Sequence, residues 1–256
     1  MNNIPEIKIP QGKKIFFASD FHLGIPNHEE SLKREKKLIQ WLQSIRKEAY
    51  AIYLMGDIFD FWFEYKTAVP KGYVRLLGLL AELTDNGIKI FLFRGNHDIW
   101  AFDYLKKECG IELHRKPLTI KLNNKIFYLA HGDGLGKGDY GYKFLKFLFE
   151  GKISQFLFNW LHPDIGLRIG LFFSRRSRLA NQSKAKKTTR KAPSSKSILL
   201  QHAHQVMEEF PEINYFIFGH SHVSVRYPVK NDAEMIILGD WITLFTYTVF
   251  DGENIA

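Results

Sequence analysis

Cysteine is nearly absent. Cys109 is the one thiol in 256 residues, which excludes an internal disulfide framework and a cysteine-rich zinc site. By itself Cys109 reads as a small, partly buried side chain. Long apolar runs are missing too: none reaches the ~18 residues of a membrane-spanning helix. The opening stretch MNNIPEIKIPQGKK lacks the apolar core of a secretory signal. There is no internal repeat. A cytosolic protein that can touch a membrane without crossing it is the expectation.

What is there builds a core. Hydrophobic residues make up 45% of the chain and aromatics 15%, enough for a folded protein. The length suits one domain with an insertion, or two small domains. The formal net charge is +9, and it is concentrated. Residues 139–196 hold 13 of the 36 Lys and Arg but only three acids, Asp139, Glu150 and Asp164. That segment carries +10, and the remainder of the chain is close to neutral. A local anionic partner is implied, not a generally basic protein.

Hydrophobic patterning predicts an α/β chain. Apolar strands are expected at 15–19, 51–55 and 88–93, separated by helices at 29–47 and 73–85, the second closed by Asn86-Gly87. This alternation predicts a parallel sheet with right-handed crossovers. Segments 118–122 and 125–130 alternate around Asn123-Asn124 as a hairpin. Residues 141–209 read as mostly helical, with a stretch low in apolar residues at 181–196. Strand-like segments return at 215–218, 223–229, 235–238 and 243–250.

Five polar motifs each follow an apolar strand: Asp20-Phe21-His22, Gly56-Asp57-Ile58-Phe59-Asp60, Gly95-Asn96-His97-Asp98, His131-Gly132-Asp133, and Gly219-His220-Ser221-His222. Functional groups of open α/β sheets collect at the carboxyl ends of strands, so these residues can converge. The glycines before Asp57, Asn96 and His220 permit tight turns and close backbone approach. Imidazole with carboxylate suits zinc, manganese or iron, whereas an oxygen-only set would suit magnesium. One carboxylate, Asp57, could bridge two ions. Two metals ~3.5–4 Å apart can hold a hydroxide between them and clamp phosphoryl oxygens during in-line attack. Singly, each motif is ordinary turn chemistry or a core histidine; five in this order form a set. His28, His114, His162, His202 and His204 fall outside it and read as surface or helix residues.

This five-block signature resembles the calcineurin-like metallophosphoesterases over nearly the whole chain. The resemblance implies a β-sandwich flanked by helices, a single domain over 1–256 that includes a helical, basic lid insertion at 140–206. It implies two divalent metals, Mn²⁺ first with Zn²⁺ or Fe as alternatives. One metal would take Asp20, His22, Asp57 and His222, and the other Asp57, Asn96, His131 and His220. His97 would stabilise the phosphoryl transition state or protonate the leaving group. Asp98 would orient His97, and Asp60 would brace the ligands.

Further stretches resemble the subgroup that hydrolyses UDP-2,3-diacylglucosamine in lipid A biosynthesis: Ser19-Asp20-Phe21-His22-Leu23-Gly24, Asp57-Ile58-Phe59-Asp60-Phe61-Trp62, Asp139 and Tyr142, Arg178 and Ser183-Lys184, and Leu238-Gly239-Asp240-Trp241. The products would be UMP and 2,3-diacylglucosamine 1-phosphate, formed by attack of a metal-bridging hydroxide on the α-phosphorus. Substrate contacts would fall to Asn96, His97, Asp139, Tyr142, Arg178, Ser183 and Lys184. Such enzymes associate peripherally with the inner membrane from the cytoplasm. One departure bears on the substrate. The best-known members carry Arg after the motif asparagine, and His97 cannot reproduce that bidentate fork.

The insertion points the same way. Residues 144–173 are apolar and aromatic, and Arg175, Arg176 and Arg178 follow at once, as an interfacial element requires. Acyl chains or anionic lipid would meet this surface; a helical pair packed on the core with a solvated basic face is the plainer alternative. Nucleic acid is not expected, because the phenylalanines are segregated from the bases and not interleaved with them. A soluble phosphodiesterase or nucleotide pyrophosphatase with a non-lipid substrate remains open, with His97 as its supporting feature. A metal-free binding scaffold is disfavoured by the filled ligand set.

Overall fold

A computed structural model describes residues 4–136, 138, 140–185 and 197–256, with the backbone alone for 177–185. In chain order the first half runs β1 (Glu6–Ile7), β2 (Lys14–Ala18), α1 (His28–Ile45), β3 (Ala49–Leu54), α2 (Val74–Asp85), β4 (Lys89–Phe93), α3 (Tyr104–Cys109), β5 (Glu112–His114), β6 (Leu118–Leu122) and β7 (Lys125–Ala130). The second half runs α4 (Tyr140–Glu150), α5 (Lys152–Asn159), α6 (Pro163–Ala185), α7 (Ile198–Glu209), β8 (Tyr215–Phe218), β9 (Ser224–Pro228), β10 (Glu234–Leu238) and β11 (Thr248–Phe250).

The central strands are apolar on both faces because each face has a partner. In β2, Ile15 and Phe17 point to one side and Phe16 and Ala18 to the other, and all four are buried. The inner set joins Ala51, Tyr53, Phe91 and Phe93 against Phe127, Leu129, Ile217 and Ile236 of a second sheet. Phe17 stacks on Tyr53 within its sheet, at 5.2 Å between ring centroids, and on Phe127 across the gap, at 5.9 Å. The outer set packs on Leu38, Trp41 and Leu42 of α1 and on Leu76, Leu80 and Leu83 of α2. Helix α7 covers the far side of the second sheet through Leu199, Leu200, Ala203 and Met207. The result is a two-sheet sandwich between helical layers.

One sheet has the order β11-β2-β3-β4-β5, with β2 to β5 parallel and β11 antiparallel. The other has the order β1-β6-β7-β8-β10-β9. In it β7, β8 and β10 are parallel, so the carboxyl ends of β7 and β8 lie at one edge. The expected β-α-β-α-β unit and the 118–130 hairpin are therefore present.

Some expectations change. Elements β1, α3 and β5 have two, six and three residues, too short to produce a periodic signal. The strand expected at 243–250 shrinks to Thr248–Phe250. Its first half instead wraps the Asp240 carboxylate, which accepts from the amides of Ile242, Thr243 and Leu244. His114 is not a simple surface residue: it lies in β5 and stacks on Phe93 at 4.9 Å. Helix α7 belongs to the sandwich core, whereas α4 and α5 bury no residue. Truncating Phe17 to Ala opens the stacked seam between the sheets, and a loss of about 3–5 kcal/mol is expected, to be read by guanidinium unfolding monitored by circular dichroism.

Candidate metal centre

The motif residues leave their strands with the backbone turned the unusual way. Asp20, His22, Asp57, His220 and His222 have φ of 60°, 44°, 53°, 65° and 54°. Each left-handed, non-glycine residue costs about 1–3 kcal/mol and persists only where the surroundings impose it. Here the loops after β2 and β3 impose it by zipping together beyond the sheet. Asp20 N–H donates to the Gly56 carbonyl at 3.1 Å and His22 N–H to the Asp57 carbonyl at 2.9 Å. The turn draws Asp20 and His22, which as i and i+2 would share a face of a regular strand, to within 3.7 Å of each other at the site.

Glycine is required at the approach. Gly56 has φ 102°, and a Cβ there would lie 2.5 Å from His131 Nδ1 and 2.9 Å from the Gly95 nitrogen. At Gly219 a Cβ would overlap the Ser19 hydroxyl and come within 2.7 Å of Asp20 Oδ2.

The side chains converge in two trios. Potential ligand atoms of Asp20, His22 and His222 lie within 4.8 Å of one another, as do those of Asp57, His131 and His220. Asp57 links them: its Oδ2 is 3.6 Å from His22 Nε2 and 3.4 Å from His131 Nε2. His22 and His222 face each other through their Nε2 atoms at 3.2 Å. Asp20 Oδ1, Asn96 Oδ1, His131 Nε2 and His220 Nδ1 are buried without a hydrogen-bond partner. Buried polar atoms are normally paired, so convergent orphan oxygens and nitrogens fit divalent cations. The opposite ring nitrogens are already committed. His131 Nδ1 is 2.7 Å from the Met55 carbonyl, to which it must donate, which leaves Nε2 as the bare nitrogen. His22 Nδ1 lies 3.5 Å from Asp60 Oδ1, and His222 Nδ1 3.7 Å from Asp240 Oδ2. This is the usual bracing of a ligating imidazole by a carboxylate or carbonyl.

Protonation reflects the crowding of carboxylates. Burial works against a charged His22, but its contacts with Asp20 and Asp60 outweigh it and raise the imidazole to about 9. His131 is raised by Asp57 against the same opposing burial. Burial and the neighbouring Asp57 push the Asp98 carboxyl up to about 7. Burial lowers His97, favouring the neutral ring.

A third trio, His22, Asp60 and His97, has a different character. His97 Nδ1 meets the Asp60 carbonyl at 2.8 Å, and Ser174 donates its hydroxyl to Asp60 Oδ2 at 2.7 Å. The expected pairing of Asp98 with His97 is corrected here. The Asp98 carboxylate accepts from the amides of Ile58 and Gly95, at 2.8 and 2.6 Å, and so braces two loops; Asp60 holds the imidazole. His97 instead donates its backbone N–H to Asp57 Oδ1 at 2.9 Å.

Of the expected substrate contacts, Asn96 and His97 lie in this cluster. Tyr142 commits its hydroxyl to Asp133 Oδ2 at 2.7 Å, which Lys146 also contacts at 2.7 Å. Asp139 lies outside the described residues, as do the side chains of Arg178, Ser183 and Lys184. Ser174 was not expected at all. The only sequence trace of it is the spacing of Gly166, Gly170 and Ser174 along α6.

A two-sheet sandwich with paired His/Asp clusters at its strand ends defines a dimetal phosphoesterase. The sequence profile of the calcineurin-like phosphoesterases matches residues 13–224, and the chain belongs to that family. It is 39% identical over 255 residues to the UDP-2,3-diacylglucosamine hydrolase of Porphyromonas gingivalis (strain ATCC BAA-308 / W83), covering 95% of this chain and 96% of the relative. The UDP-2,3-diacylglucosamine hydrolase of Ectopseudomonas mendocina (strain ymp) is 28% identical over 249 residues, covering 94% and 95%. Among solved structures, the Escherichia coli phosphoesterase Yfce superposes with a TM-score of 0.44 at 14% identity, covering 95% of this chain and 91% of that one. Replacing Gly56 with Ala should drive a methyl into His131 and lower bound divalent metal well below the wild-type stoichiometry, as measured by elemental analysis of the purified protein.

Proposed function

We propose that the protein hydrolyses UDP-2,3-diacylglucosamine to UMP and 2,3-diacylglucosamine 1-phosphate, with Mn²⁺ as the preferred metal. The observation that carries this reading is 39% identity, over nearly the full length of both chains, to a hydrolase of that name. In this reading Asp20, His22, Asp57 and His222 hold one ion. Asp57, Asn96, His131 and His220 hold the other, so that Asp57 serves both. When bound, the ions supply an activated water and neutralise charge on the phosphoryl oxygens. The chain's own part is to hold every donor in place. Asp60 and Asp240 face the outer nitrogens of His22 and His222, and the Met55 carbonyl sets the tautomer of His131. His97, with Nδ1–H committed to the Asp60 carbonyl, would hydrogen-bond the phosphoryl group or protonate the departing sugar phosphate through Nε2–H as the imidazolium, a form that the neighbouring Asp57 and Asp60 favour against burial and that an anionic substrate would favour further.

The lid supports a lipid substrate. Of 18 exposed large hydrophobic residues among those described, 15 fall between Tyr140 and Phe173. Phe147, Ile153 and Trp160 are each more than 70% exposed. A soluble surface rarely carries so large an apolar patch without a partner. Arg168, Arg175 and Arg176 stand exposed on α6 beside it. No helix among the described residues is long and apolar enough to cross a membrane. An amphipathic, basic face that lies on anionic lipid and shelters acyl chains is the reading these observations favour. His97, which stands where the best-known members of this subgroup carry Arg, is the feature that favours the second reading, a family phosphodiesterase acting on non-acylated substrates.

Purified protein with Mn²⁺ should release UMP from UDP-2,3-diacylglucosamine. Chelation by EDTA should abolish the activity, and Mn²⁺ should restore it. Faster turnover of UDP-glucosamine lacking acyl chains would favour the second reading. Asp57→Ala should reduce activity to background and lower metal content, whereas His97→Ala should keep both metals and lose about 10²–10⁴-fold in rate. Binding to phosphatidylglycerol vesicles should exceed binding to phosphatidylcholine vesicles and weaken steeply with salt; equal partition would sink the membrane claim.

A further inference from the structure

Helix α6 packs closely on the body of the molecule through its small residues. Among its residues with described side chains, the buried ones are Gly166, Gly170 and Ser174, four apart and therefore on one face. A Cβ on Gly166 would overlap the Tyr65 hydroxyl, and one on Gly170 would overlap the Phe61 ring. The helix backbone thus lies directly on the loop that follows Asp57, and this close approach carries Ser174 inward.

Ser174 then enters a directional polar knot. Its hydroxyl donates to Asp60 Oδ2 at 2.7 Å, and its oxygen lies 3.2 Å from His97 Nδ1. His97 Nδ1–H donates to the Asp60 carbonyl at 2.8 Å, with Ser174 Oγ as a second acceptor. The His97 proton sits on Nδ1, which leaves Nε2 as the nitrogen free for chemistry, and the ring is held from two sides. Asp60 comes from the β3 loop, His97 from the β4 loop and Ser174 from the insertion, so the knot closes only when α6 is docked.

We propose that Ser174 is a positioning residue for His97, and that α6 completes the setting of the catalytic histidine in addition to covering substrate. This rests on the hydrolase reading above. It reaches past that reading by making the insertion part of the machinery of the reaction centre, so that docking of the lid and competence of His97 are one event.

The test is a double-mutant cycle on the full chain loaded with Mn²⁺, comparing wild type, Ser174→Ala, His97→Ala and the double variant. Activity is assayed on UDP-2,3-diacylglucosamine and on bis(p-nitrophenyl) phosphate. Ser174→Ala should lower kcat about tenfold with KM changed less than about twofold. The same change in the His97→Ala background should cost less than about twofold, because coupled residues are non-additive. Ser174→Gly, which also lacks the hydroxyl and matches the two glycines of the line, should behave like Ser174→Ala. Metal content should be unchanged throughout. Equal losses from Ser174→Ala in both backgrounds, or a loss of metal, would overturn the proposal. A wild type that cleaves the diester but not the UDP-lipid would reject the substrate reading, while the cycle is still read on the diester.

Discussion

Asp57 is a buried carboxylate at the end of β3 whose two oxygens organise the site. One accepts the His97 amide, and the other faces His22 and His131 at about equal range. Around it, Asp20, Asp60, Asp98, Asp133 and Asp240 are also buried. Gathering six carboxylates at one edge of a sandwich is expensive unless cations or dense hydrogen bonding compensate. Each acid here is given a compensation: imidazoles for Asp20 and Asp57, the Ser174 hydroxyl for Asp60, backbone amides for Asp98 and Asp240, and a lysine and a tyrosine for Asp133. Divalent cations complete the balance in a dimetal phosphoesterase. The left-handed turns and the obligatory glycines follow from the same constraint, because carboxylates and imidazoles from the loops after β2, β3, β4, β7, β8 and β10 can meet only if the backbones come unusually close.

The rigidity of that centre contrasts with the insertion. The sandwich core is filled by aliphatic and aromatic side chains, whereas α4 and α5 hold no fully buried residue, their contacts with the body coming from partly exposed groups such as Phe158 against Phe63 and Trp100, and the buried residues of α6 with described side chains are Gly166, Gly170 and Ser174. Segments with so few buried contacts open at low free energy. The line through Gly166, Gly170 and Ser174 is where the two regimes meet, and it ends at the imidazole of His97.

Much of this was legible in the chain itself. Strands β2, β3, β4, β7 and β8 announce themselves as short apolar runs because both of their faces are buried, and each is followed by a polar motif. That juxtaposition marks Asp20, His22, Asp57, Asn96, His131, His220 and His222 as candidate ligands without coordinates. The two-residue β1, the three-residue β5 and the six-residue helix α3 are too short to carry a period and leave no signal in the sequence. The strand expected at 243–250 was shortened because Asp240 drew the following amides onto its carboxylate, a contact that hydropathy does not record.

The sequence by itself determined the central strands, their alternation with α1 and α2 and the inventory of candidate ligands, because burial on both strand faces and a polar residue at each strand end are local properties. Only the tertiary structure decided which groups hold which. Asp60 and not Asp98 meets the ring of His97, Tyr142 turns to Asp133, α7 joins the core and leaves the lid, and Ser174 reaches the site from 77 residues away along the chain. Those outcomes depend on directional contacts a few ångströms long between segments remote in sequence, and no local pattern of side chains encodes them.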